Sequence, residues 1–480
     1  AMDGQAGAMA SGEFYAGDPR HTEVYLEQVR RVTPGDLARV ARKYLRPENG
    51  SWAILAPEGK APAASARGDA ADLHVREHVF SNGLRLIVRE DSRLPMAYVS
   101  AVLGGGLLAE PEGKAGVSQL AADLLTRGTS KHTAAELAEL LESRAVSLSS
   151  FSGRNSYGLS AGGLSEDLPL MLDAVAECLL DSQFPADELE KQRALHLASL
   201  RRALEPPMTH AQQMVREAYF PGHPYRFPAL GDPESVATLT RADVQACHRK
   251  LLGASNLVLA VFGDVKLDAV VAAVEKSFAA LPAISVPPWP ALPPPPGKPE
   301  RAEKRLPFKQ TVLVRAWPGI AAGDPREDAV AVLLDALSGL SSDLFIEVRD
   351  KRGLAYYVGA THFSGPVGGL FMIFAGTTEA GHAEVETQIQ AQAERLRRDG
   401  LRAEEFSRAV EQLLAEQARA RQNNGGLAQQ CALDELLGLG YLHSIQTAER
   451  LKQLAPEAVR AAADSLFSVP GDATAVVFPD

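Results

Sequence analysis

Two histidines and a glutamate in the string His74-Val75-Arg76-Glu77-His78 are spaced like the ligands and base of a metal-dependent hydrolase. On a helix, residues four apart share a face, so both imidazoles would reach one zinc ion while the glutamate activates a bound water. The neighbouring residues argue against a helix. The string feeds an Asn82-Gly83 pair, where positive backbone φ costs little and a hairpin turn is expected. Period-two alternation then puts Glu77 on one side of a strand and His74 and His78 on the other, which reads as a solvated strand face. Other reactive residue types are sparse. Cys178, Cys247 and Cys431 are far apart and lack Cys-x-x-Cys spacing, so they read as small buried apolar residues. His196 has no partner at ligand spacing and reads as packed rather than metal-bound, within a charged stretch, 187–202, that otherwise reads as a solvated helix face. Asn423-Asn424-Gly425-Gly426 reads as a flexible turn, because no strand, glycine loop and helix surround it in the order a phosphate cradle needs.

The elements that position such groups belong to a chain of 480 residues, which is long for one core and suits two domains of roughly 200 residues each. Apolar residues make up 46% and charged residues 23%, a globular balance, and the net charge of -11 argues against a nucleic-acid partner. No apolar run approaches the roughly 18 residues of a membrane span, and the opening residues lack a secretion-signal pattern. The compartment stays open.

Two breaks interrupt the pattern. Residues 58–72 are rich in Ala, Gly and Pro, and 285–303 carry Pro293-Pro294-Pro295-Pro296-Gly297, a semi-rigid spacer. The expected organisation is a leader over 1–60, a linker over 61–75, a first domain over 76–284, a Pro-rich linker over 285–303 and a second domain over 304–480.

An internal repeat supports this division. A helix pattern from Pro34 and a strand pattern ending at Pro57 recur, at one offset and without a gap, from Pro456 to Pro479. A third copy runs from Leu239 to Gly263. The leader therefore reads as the closing helix and strand of a domain whose body precedes it. Helical spacing is expected over 134–141, 168–180, 329–337 and 383–396, and strands over 97–103 and 311–317. Strands and helices mix without the regular alternation of a doubly wound sheet, so the fold class is α+β.

The segment from Gly113 to Thr129 resembles the metal-binding helix of the pitrilysin/insulinase-type zinc metallopeptidases, which include the mitochondrial processing peptidase. In that family the segment carries an inverted His-x-x-Glu-His motif. Here Gln119 and Asp123 stand at the histidine positions and Ala122 at that of the glutamate base. The family's third ligand falls near Leu197 to Leu200, with Ser199 as the matched position, and no carboxylate is available there. The resemblance thus implies two αβ modules of pitrilysin type and a degenerate zinc site, with neither catalytic residue nor metal in this chain. His223-Pro224-Tyr225 resembles a family loop and reads as structural.

Residues 324–371 resemble the family's C-terminal domain, where an arginine and a tyrosine seven positions apart bind substrate. Arg349 and Tyr356 have that spacing. The implied function is a non-catalytic, substrate-binding half of a peptidase that closes like a clamshell on peptides or unfolded polypeptides. Its implied partner is a zinc-bearing half of the same fold. Two rivals remain: an inactive structural or binding homologue, and a self-sufficient peptidase using His74 and His78.

Overall fold

The computed structural model describes residues 2–44, 74–284, 288–339 and 342–480. The chain forms two compact units, Ala1–Asp72 and Leu73–Asp480. The first contains three described helices, α1 (Met2–Ala16), α2 (His21–Arg31) and α3 (Pro34–Tyr44). Thr33 starts α3 by a reciprocal cap: its hydroxyl accepts from the Asp36 amide at 3.3 Å, and the Asp36 carboxylate accepts from the Thr33 amide at 3.1 Å. Pro34 follows at the first helical position, where a missing N–H costs nothing. The strand expected over 52–57 and most of the linker over 61–75 lie outside the described residues.

The second unit is built on two sheets. The first contains β1 (Val75–Val79), β2 (Arg85–Glu90), β3 (Met96–Gly104), β4 (Ser147–Ser152), β5 (Ser156–Leu164) and β6 (Leu257–Gly263), in the order β1-β2-β6-β3-β5-β4. Its segment of chain also supplies α4 (Val117–Leu125), α5 (Ala134–Glu142), α6 (Leu168–Leu180) and α7 (Ala186–Ala203). After these come α8 (Pro207–Tyr219), α9 (Pro233–Thr238), α10 (Arg241–Leu251) and α11 (Leu267–Ser277).

The second sheet contains β7 (Glu300–Leu306), β8 (Thr311–Gly319), β9 (Ala355–Gly365), β10 (Gly368–Thr377) and β11 (Ala473–Pro479), in the order β7-β11-β8-β10-β9. With it come α12 (Glu327–Leu337) and α13 (Asp343–Phe345), which runs on as a π turn over Ile346–Lys351. The remaining helices are α14 (His382–Asp399), α15 (Ala403–Ala420), α16 (Asn424–Leu436), α17 (Thr447–Gln453) and α18 (Pro456–Phe467).

The repeat seen in the sequence is a repeat in topology. β6 enters its sheet parallel to β2 and antiparallel to β3, and β11 enters parallel to β7 and antiparallel to β8. Both closing strands are buried along most of their length, which is why each reads as an unbroken apolar run without alternation. One expected boundary needs correction. β7 starts at Glu300, so residues 300–303 belong to the second sheet and not to the Pro-rich linker. Its sequence, Glu300 to Leu306, is almost wholly charged because it is an exposed edge strand, where charge discourages pairing with another chain.

Each sheet has one face covered by helices of its own segment. Leu120, Leu124, Met171, Val175 and Val244 pack on the first sheet, and Leu333, Val385, Ile389, Val459 and Leu466 on the second. The opposite faces are covered by exchange. α8 lies across β8 and β11 of the second sheet, with Ala211, Val215 and Tyr219 against Val312, Val314 and Val477. The Tyr219 hydroxyl lies 2.7 Å from the Gly471 carbonyl and 3.1 Å from that of Ala316. In return α16 lies across β3 and β6, with Leu427, Ala428 and Cys431 against Val102, Val258 and Phe262. Side chains of this size contribute about 1.5–3 kcal/mol each on full burial, so both exchanged helices are core elements.

This placement corrects the reading of Asn423 to Gly426. The segment is the start of α16, with the Asn423 side chain accepting from the Gly426 amide at 3.1 Å. A Cβ at Gly425 would meet the Tyr98 ring at 3.1 Å, so glycine serves close helix-to-sheet packing here.

Candidate functional site

The degenerate zinc helix is α4, and its start is fixed by Glu110. That carboxylate accepts from the amides of Gly116 at 2.8 Å and Ser118 at 2.9 Å, two donors that a helix N-terminus leaves without intrahelical partners. The Ser118 hydroxyl in turn donates to the Gly106 carbonyl at 3.0 Å. Glu110 is only 8% exposed, and burial pushes its pKa up to about 7 against the pull of those two amides.

One turn further on, the Gln119 side-chain amide donates to the Asp123 carboxylate at 2.8 Å. The two residues at the histidine positions are therefore hydrogen-bonded to each other along one helix face. Ala122, at the position of the base, is fully buried. Burial raises the Asp123 pKa, while Gln119 and then His196 act to lower it.

The facing helix is α7, and it presents a different residue from the one expected. Ser199 is exposed. The α7 side chain turned towards α4 is His196, close enough to Asp123 for each to influence the other's charge. The His196 Nε2–H donates to the Leu230 carbonyl at 2.7 Å, which leaves Nδ1 buried without a hydrogen-bond partner. Burial lowers its pKa, so the imidazole is neutral at pH 7. The signal for this was present in the stripe Leu189, Gln192, His196 and Leu200, which has helical spacing and is the buried side of α7. Counting a fixed distance from α4 passed over it.

These residues do not fit a zinc ion. One carboxylate and one imidazole lie within electrostatic reach of each other, Gln119 is engaged by Asp123, and zinc sites take three or four protein ligands. Among the described residues, no three His, Cys, Asp or Glu side chains are grouped to hold a metal.

His74 to His78 likewise forms no metal site. Residues 75–79 are strand β1, paired antiparallel to β2, and an extended chain separates residues four apart by roughly 13 Å. The His78 ring stacks edge-on against Phe80 at 4.6 Å. Burial and the nearby Glu435 carboxylate of α16 raise the Glu77 pKa, so Glu77 faces the α16 layer. Cys178, Cys247 and Cys431 are free and buried, and burial pushes each thiol above its ordinary pKa. His223 and Tyr225 are also buried. The Tyr225 hydroxyl donates to Asn155 at 2.6 Å, which ties the loop to the β4–β5 turn.

Arg349 and Tyr356 are brought together. Arg349 lies in the π turn after α13, and its guanidinium sits 4.7 Å from the Phe345 ring centre and 5.7 Å from that of Tyr356. No carboxylate among the described residues pairs with it. Tyr356, near the start of β9, is 74% exposed, and β9 is an edge strand bonded only to β10. Cation–π contacts of this kind contribute about 0.5–1 kcal/mol at exposed positions, enough to bias the guanidinium towards the phenol without fixing it. The result is a pair of strong donors, one exposed and one half-buried, at the start of an edge strand.

Two family models match the chain: "Insulinase (Peptidase family M16)" over residues 85–232 and "Peptidase M16 inactive domain" over 238–413. Its relatives include an uncharacterized zinc protease of Streptomyces coelicolor, 26% identical over 396 residues, covering 81% of this chain and 86% of the relative. Another from Mycobacterium tuberculosis is 27% identical over 412 residues, covering 85% and 94%. Among solved structures, an M16 inactive domain from Pseudomonas fluorescens superposes with a TM-score of 0.78 at 24% identity, covering 85% of this chain and 98% of its own. A protease from Helicobacter pylori also gives 0.78, at 17% identity, covering 84% and 99%.

Proposed function

The chain belongs to the insulinase (M16) peptidase family, and from that premise we propose that it is a non-catalytic half which holds peptide substrate for a zinc-bearing partner half. The observation that carries this reading is the contrast between α4 and β9. On α4 the two residues at the ligand positions bond to each other, and Ala122 offers no base. At the start of β9 the exposed Tyr356 lies beside the half-buried, carboxylate-free Arg349 of the preceding π turn.

A guanidinium and a phenol can both donate to a peptide carbonyl and stabilise negative charge on it. An extended peptide can bond to the free edge of β9 through its backbone, with little demand on its sequence. The substrates are accordingly unfolded peptides or small polypeptides. Zinc is assigned to the partner half, and the working form is a heterodimer or a fused pair of halves.

The test is hydrolysis of an unstructured fluorogenic peptide by the reconstituted pair. Arg349→Met and Tyr356→Phe should each lower kcat/KM by about 10- to 100-fold while the pair still co-elutes on size-exclusion chromatography. Unchanged activity in both variants defeats the substrate-binding role and leaves a purely structural half.

A further inference from the structure

The second and third helices of the leader carry an apolar face whose pattern recurs in the second unit. α2 and α3 expose Leu26 by 51%, Val29 by 47%, Leu37 by 63% and Val40 by 43%. Apolar residues at helical spacing form a stripe that normally packs against a neighbour. Moved 422 positions along the chain (456 less 34, the distance from Pro34 to Pro456), these four fall on Ala448, Leu451, Val459 and Ala462. All four of those are buried, none more than 7% exposed. They are the inward residues of α17 and α18, which pack on α12, α14, α15 and β8 of the second module. Both α3 and α18 begin on proline, and both are preceded within a few residues by a helix of the same amphipathic register.

We infer that α2 and α3 form a docking element for an αβ module of this same fold that lacks its own closing helices, and that they seat on it as α17 and α18 seat on α12 and α14. The occupant follows from the repeat: where this pattern recurs, in α17 and α18, it is seated on the helical layer of such a module. A second copy of this chain does not qualify, because its own α17 and α18 already fill that layer. The inference concerns shape and apolar pattern, and holds whether or not the receiving module carries zinc, so it stands apart from the role of Arg349 and Tyr356.

The ungapped match allows a test within the full-length chain. Residues 449–465 are replaced by the sequence of 27–43, carrying Val40→Ala so that the filled site at Ala462 is not overpacked. If α2 and α3 have the shape of a closing pair, the exchanged chain unfolds cooperatively with Tm within about 10 °C of the parent. A control exchange that also carries Val29→Asp and Leu37→Asp should lose the cooperative transition. An exchanged chain no more stable than this control overturns the inference. Hydrogen exchange on the unmodified monomer supplies a second reading. Amides of α3 should exchange at least about 100-fold faster than those of α18, and equal protection would mean that the face is already occupied within this chain, which also overturns it.

Discussion

Replacing Glu110 with glutamine should change how the stability of this protein depends on pH, and the sign of the change is fixed. Glu110 is buried against the first turn of α4, and its pKa rises from an ordinary 4.5 to about 7. Between those two values the folded chain keeps a proton that the unfolded chain has released, so unfolding loses a proton and stability falls as pH rises. The contribution is fully present below pH 4.5 and is gone above about pH 7. At about 1.4 kcal/mol per pH unit across that interval it amounts to about 3 kcal/mol. Glu110→Gln keeps the shape and removes the titration. It carries a constant cost of about 1–2 kcal/mol, since a neutral amide oxygen accepts less strongly from the Gly116 and Ser118 amides and its NH2 group opposes one of them. Urea unfolding of both proteins at a series of pH values from 4.5 to 8 isolates the effect, because Asp123 and Asp335, whose pKa values burial also raises, titrate in both. The advantage of the parent over the variant should shrink by about 3 kcal/mol across the series. An advantage that is flat, or that grows with pH, would show that the two amides and the helix dipole hold the carboxylate ionised, and the reasoning would fail.

Other outcomes follow from the same structure. Arg216 is 6% exposed, has its Nε without an acceptor and only Gln212 at 3.5 Å, and lies near the half-buried Arg154; Arg216→Met should therefore raise unfolding free energy by about 1–3 kcal/mol, measured by urea unfolding. Gly106→Ala should cost more than about 2 kcal/mol and lower Tm, because the residue sits at φ +64° and an added Cβ would lie 2.3 Å from the Gly153 carbonyl. Metal analysis of the purified chain should find zinc well below one ion per molecule, unaffected by His74→Ala or His78→Ala; stoichiometric zinc lost in either variant would restore the self-sufficient peptidase.

The parts of the fold that were legible in the sequence rest on local rules. The Asn82-Gly83 turn, the apolar runs of β6 and β11 and the helical spacing of α6, α12 and α14 each follow from residues close in sequence. β7 was hidden because an exposed edge strand needs no apolar alternation. The start of α16 was hidden because Gly425 and Gly426 are poor helix residues, of which Gly425 lets the helix approach Tyr98. At the candidate site, the pairing of Gln119 with Asp123 and of Arg349 with Tyr356 lay within reach of spacing and motif. The contact between α4 and α7 is tertiary: a fixed count along the chain reached Ser199, while the rotation of α7 in the core selects His196.

The reciprocal crossing of α8 and α16 makes the second unit a handshake: neither grip can open without stripping the other's sheet. A protease that nicks the segment between Lys298 and Leu281 should therefore yield two fragments that travel together through a sizing column and melt in a single step. Hinge motion inside this unit is correspondingly suppressed. In the proposed pairing of halves, the opening that admits a polypeptide therefore lies outside 74–480 rather than between its two sheets.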